Sequence, residues 1–249
     1  MRLLSVFGME RPLPVRPRFS YAMVEAGSAD NVHPRVYRDC RSLGSGEPHR
    51  LTVRMITDLN RIAVGRYEGF AAHAGVVASN GNAIALPADS KGGKSTLTTA
   101  AVMAGLDYVS DESLCIDIQS SDIVPYPKPI MLSADSCHLL GLEPPDDDAD
   151  WVDRAVTASD LGGDTVTTRR KLAHVVFPEY GHTGPAKLTS LPASQAVAGL
   201  LRMSFNHYKT PADSFRLATS LAGTAQTWRL TYNDPVEAGQ LLLDRLGQG

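Results

Sequence analysis

The chain has 249 residues, 43% hydrophobic and 20% charged, the balance of a soluble globular protein with room for one sizeable core and a small appendage. A formal net charge of −3 gives no electrostatic reason for nucleic acid or a membrane surface as partner, so any basic site must be local. The cysteines Cys40, Cys115 and Cys137 are odd in number and include no CxxC pair, which argues against a disulfide framework or structural zinc and points to the cytoplasm.

The N-terminal MRLLSVFGMERPLPVRPRF holds an apolar run too short and too interrupted for a signal or membrane-spanning segment, and it is expected to begin a strand. From Gly27 to Arg50, Gly, Pro, Ser and charge break any period, which predicts an exposed connection. Val53, Ile56, Leu59, Ile62 and Ala63 then recur at the spacing of one helical face, so Leu51 to Phe70 reads as an amphipathic helix. Next, HAGVVASNGNAIALPA sets two short apolar runs on either side of Asn80-Gly81, the signal of a β-hairpin.

STLTTAAVMAGL reads as a helix stopped by Gly105, and DYVSDESLCIDI and DIVPYPKPIML read as strands. Leu142 to Trp151, with two prolines and four aspartates including Asp146 to Asp148, is a solvated excursion, and Ser159 to Arg170 a second flexible stretch; either suits a lid. Beyond them come the strand LAHVVFPEY, helices near Ala193 to Tyr208 and Asp213 to Ala222, the strand TWRLTY and a helix Pro235 to Leu246. This pattern predicts an α/β or α+β domain built round one sheet.

Between an apolar strand and a helix lies Ala88-Asp89-Ser90-Lys91-Gly92-Gly93-Lys94-Ser95, with Thr96 following in the same turn. That is the context of a Walker A phosphate loop, because small residues let successive backbone N–H groups turn inward while the helix N-terminus faces the same anion. Lys94 is expected to reach the β- and γ-phosphates and Ser95 to ligate magnesium, although Ala88 stands where the first glycine usually does. Phosphoryl transfer also needs a carboxylate, and Asp111 and Glu112, on the strand after the loop helix, are the candidates, with Asp107 a weaker one. Arg169 and Arg170 are cations that could meet a phosphate, and His73 opens the first strand of the hairpin.

Residues His73 to Ser113 resemble the catalytic domain of the HPr kinase/phosphorylase family and its small kinase-like relatives. The likeness lies in a histidine before the hairpin, the phosphate loop, a helix ending in glycine and a following acidic pair, and YPKPIML fits the relatives too. The resemblance implies a P-loop on a mixed sheet, similar to ATP-dependent phosphoenolpyruvate carboxykinase. It makes Asp111 the catalytic carboxylate, His73 its support, and Ser95, Asp111 and Glu112 the magnesium ligands. It does not extend to the glycine- and arginine-rich signature of the bifunctional enzyme, so it implies the kinase and not the reverse reaction.

The expectation is therefore an ATP- and magnesium-dependent kinase acting on a hydroxyl, first of all a serine of a protein or peptide, as in natural-product peptide tailoring. Residues 1–50 would form N-terminal strands and an exposed loop packed on the core, and residues 51–249 the catalytic domain. The alternatives are a non-catalytic nucleotide-binding protein that presents a peptide, a small-molecule kinase, and an unspecialised NTPase.

Overall fold

The structure, a computed structural model, describes residues 19–25, 33–89, 92–144 and 153–247. The expected N-terminal strand, Ser90 and Lys91 of the phosphate loop, and the acidic segment Asp146 to Asp148 lie outside the described residues. One compact unit ends at Arg66 and the other begins at Tyr67, whereas the division expected at residue 50 falls inside a helix.

The first unit is an antiparallel meander of β1 (Tyr21–Val24), β2 (Arg35–Arg38) and β3 (Arg41–Ser45), followed by α1 (Pro48–Arg66). The segment expected to be an exposed connection thus holds a hairpin, turned at Asp39, which has φ 52°, and Cys40. Of the apolar face predicted for α1, only Ile56 is buried; the others are Leu51 and Asp58. Asp58 is inside because it is fully bonded. Arg38 Nη1 donates to both its oxygens at 2.8 and 2.7 Å, Tyr21 Oη donates at 2.8 Å and Arg61 at 3.0 Å. Burial alone would raise the Asp58 carboxyl, but these donors outweigh it and hold it below its ordinary range, while burial and Asp58 push the Tyr21 phenol up to about 12.

The second unit is built on a mixed seven-stranded sheet. Its strands are β4 (Phe70–Ser79), β5 (Asn82–Pro87), β6 (Asp107–Ser110), β7 (Ser113–Ile116), β10 (Lys171–Tyr180), β11 (Lys187–Ser190) and β12 (Gln226–Tyr232). The order is β11-β12-β10-β5-β4-β6, with β7 also paired to β4. β5, β10 and β12 run parallel, whereas β4 is antiparallel to β5, β6 and β7. The β4–β5 hairpin turns on Asn80 and Gly81, both at positive φ (50° and 83°), which matches the twist of the flanking strands.

Alternation along the strands supplies a core on each face. Val77, Ile84, Leu86, Val176 and Leu230 pack with α2 (Lys94–Ala104) and α6 (Pro235–Leu246), while Val76, Ala83, Ala85 and Val175 pack with α4 (Ala193–Met203) and α5 (Pro211–Thr224). The chain is therefore a mixed α/β fold, with six helices among the described residues.

DYVSDESLCIDI, expected as one strand, is interrupted at Asp111-Glu112. Ser110 Oγ accepts from the backbone N–H groups of Ser113 at 3.2 Å and Glu112 at 3.4 Å, which turns the chain out of the ladder. β4 keeps its register across the gap, with Val76 opposite Ser110 and His73 opposite Ser113. DIVPYPKPIML is not a continuous strand, because its prolines cannot donate to a ladder; Ile123 makes isolated antiparallel bridges to Ile116 and Arg170, and after the prolines β8 (Ile130–Leu132) pairs with β9 (Arg154–Val156). The short helix α3 (Ala134–Leu139) follows β8, capped by the Ser133 hydroxyl. No described helix is long and apolar enough to cross a membrane.

Candidate active site

The hairpin, the loop and the helix converge at the C-terminal end of β5. Gly93 caps α2 in the left-handed conformation (φ 73°, ψ 10°) and, having no side chain, supplies no acceptor to the first-turn N–H groups. A side chain at Gly93 would also meet the Tyr232 hydroxyl, 3.3 Å from an added Cβ. On β4, an added Cβ at Gly75 would stand 2.0 Å from Thr98 Oγ1 and 3.4 Å from Lys94 Cγ. Glycine there lets the first turns of α2 lie directly on the sheet and sets the depth of Lys94.

Lys94 is only 7% exposed, and it makes no hydrogen bond or ion pair with a described residue. An ammonium in that state is costly unless an anion shares its surroundings. Ser95 Oγ donates to Asp111 Oδ2 at 3.2 Å. Asp111 is 1% exposed, and its other oxygen, Oδ1, is buried without a partner among the described residues. A hard cation or an incoming hydroxyl at Oδ1 would satisfy that acceptor, so the hydroxyl and carboxylate fit magnesium in kind. Among the described residues there is no group of three His, Cys, Asp or Glu side chains that could hold a metal ion.

Comparison with protein-family models and with curated proteins finds no match to this chain.

His73 is not bonded to Asp111, contrary to the support expected of it. Its Nδ1 lies 2.7 Å from the carbonyl oxygen of Ala88; a carbonyl only accepts, so the proton sits on Nδ1. Nε2 faces Glu112 Oε1 at 3.7 Å. Burial, and then the positive charge of Lys94, hold the His73 imidazole below its ordinary value despite the nearby carboxylates. Phe205 meets the ring edge-on at 5.6 Å between centroids.

The residue that does hold Asp111 is Lys128, from YPKPIML. It is 4% exposed, and its Nζ donates to Asp111 Oδ2 at 3.3 Å and to the Pro129 carbonyl at 3.2 Å, with Glu112 Oε2 at 3.8 Å. Tyr108 Oη donates to the Lys128 carbonyl at 2.7 Å and so anchors its backbone from β6. The only sequence signal for this lysine was its place between two prolines in a segment already singled out.

The structure thus brings together His73, Ala88, Lys94, Ser95, Asp111 and Glu112, and adds Lys128. Thr96 instead shares a hydrogen bond with Ser136 of α3 at 2.8 Å, and the Asp89 carbonyl accepts from Gly92 at 3.0 Å. Glu112, expected as a magnesium ligand, turns its oxygens to His73 and Lys128. Asp107 lies at the opposite end of β6 from Asp111, where burial and Asp164 raise its carboxyl. Arg169 and Arg170 do not reach the site: Arg169 bonds Asp117 and Ser120, each at 3.1 Å, and Arg170 bonds Thr168.

Proposed function

We propose that this chain is an ATP- and magnesium-dependent kinase of the HPr kinase/phosphorylase type, with its P-loop on a mixed sheet, transferring the γ-phosphoryl group to a hydroxyl, first of all a serine of a protein or peptide. The observation that carries this reading is Lys94, which is 7% exposed and has no hydrogen bond or ion pair with a described residue, at a helix N-terminus whose N-cap glycine supplies no side-chain acceptor. A polyphosphate answers both needs at once.

In this mechanism Lys94 and the loop amides bind the β- and γ-phosphates of ATP and draw charge toward the leaving side. Ser95 Oγ and Asp111 Oδ2 would hold magnesium, which neutralises phosphate charge when bound. Asp111 Oδ1 accepts the proton of the acceptor hydroxyl as its oxygen bonds to the γ-phosphorus. The bond from that phosphorus to the β–γ bridging oxygen breaks, and ADP leaves with the electron pair. Glu112 and His73 stand beside Asp111 as a polar wall tied to Ala88.

The test is ATP consumption with and without hydroxyl acceptors, comparing wild type with Lys94→Ala and Asp111→Asn. Loss in both variants is expected, and undiminished activity in both overturns the assignment. ATP bound tightly but never consumed with any acceptor favours the non-catalytic nucleotide-binding alternative.

A further inference from the structure

Five polar contacts link the two ends of the phosphate loop from outside it. The Ala88 carbonyl accepts from His73 Nδ1 at 2.7 Å, and His73 Nε2 faces Glu112 Oε1 at 3.7 Å. Glu112 Oε2 lies 3.8 Å from Lys128 Nζ, Lys128 Nζ donates to Asp111 Oδ2 at 3.3 Å, and Ser95 Oγ donates to the same oxygen at 3.2 Å. Ala88 begins the loop and Ser95 ends it, so the circuit closes through the loop backbone. Lys128 is the one member that touches both carboxylates.

We propose that Lys128 is a positioning residue whose single ammonium holds the two carboxylates of Asp111 and Glu112 together, and that this ammonium competes with a divalent cation for their oxygens. Asp111 is too deeply buried for water to stabilise its charge, and among the described residues its carboxylate bonds Ser95 and Lys128. Both donate to Oδ2, which leaves Oδ1 without a partner among the described residues. The Lys128 backbone is held at its carbonyl by Tyr108, and its ammonium cannot swing to solvent without breaking its bonds to Asp111 and to the Pro129 carbonyl. Competition with a cation rests on the metal-binding part of the kinase reading; the positioning of the carboxylates does not.

The experiment titrates Mn2+ into nucleotide-free protein, following free Mn2+ by electron paramagnetic resonance, for wild type, Lys128→Met and Lys128→Arg. With the ammonium gone, Lys128→Met is expected to bind Mn2+ about tenfold more tightly than wild type, and Lys128→Arg to stay within about threefold of it. Equal affinity in wild type and Lys128→Met overturns the proposal. Thermal melting supplies a second readout. Lys128→Met should melt lower because Asp111 loses its counter-charge, and Lys128→Met with Asp111→Asn should recover at least half of the loss. A double variant as unstable as Lys128→Met, including one that does not fold, overturns the proposal. Wild-type ATP turnover is measured in parallel. No turnover together with tighter Mn2+ binding in Lys128→Met rejects the kinase reading and keeps the lysine's role; turnover with unchanged Mn2+ binding rejects the lysine's role alone.

Discussion

At the scale of residues, burial turns common side chains into informative ones. A lysine at the surface says little, whereas Lys94, 7% exposed and without an ion pair to a described residue, suits an anion beside it. Lys94→Ala is expected to weaken ATP binding by about 10- to 100-fold, the loss of one charge-assisted contact, measured by calorimetric titration. Asp111→Asn keeps the shape of the side chain and removes the proton acceptor of the proposed mechanism. It should lower acceptor-dependent turnover by about 10²- to 10⁴-fold with nucleotide affinity little changed. Lys94, Ser95 and Asp111 were legible in the sequence because the loop pattern and the strand after its helix place them by local geometry. Lys128 was not, since a lysine between prolines looks like any solvated turn until the fold carries it 3.3 Å from Asp111.

At the scale of elements, close approach decides the outcome. The β4–β5 hairpin and α2 were readable because Asn80-Gly81 and Gly105 act through their own backbone conformation. Gly81→Ala, at φ 83°, should cost about 1 kcal/mol in a denaturant melt. Gly75 is different, because its role lies in what packs over it. Gly75→Ala would drive a methyl group against Thr98 and shift the start of α2, so its nucleotide affinity should fall along with its stability. An affinity equal to wild type would show that α2 does not rest on β4 as described. The strand expected from DIVPYPKPIML failed for a local reason, since three prolines remove ladder donors, and α3, β8 and β9 are too short to leave a period.

At the scale of the whole molecule, the pH dependence of stability gathers these environments. His73 is held below its ordinary value by burial and Lys94, and His174 by burial. The unfolded chain therefore takes up protons near pH 6.5 that the folded chain refuses. Stability is full above that pH and falls as the pH drops through it toward the lower folded values. The melting temperature is expected to decrease from pH 7.5 to pH 5.5, and the slope to flatten in a variant carrying His73→Asn and His174→Asn; an unchanged slope would place the transition elsewhere.

What the sequence determined by itself is local: the hairpin turn, the glycine that stops α2, the helix that follows β5, and the acidic pair just after the next strand. Each depends on residues within a few positions of one another, where backbone sterics and hydrogen bonding suffice. What only the tertiary structure decided is which distant groups share an environment. His73 faces Glu112 and not Asp111, Lys128 holds Asp111, and Arg169 and Arg170 bond elsewhere. Those partnerships follow from strand order and burial, because a charge removed from water takes whichever partner the packing brings within reach.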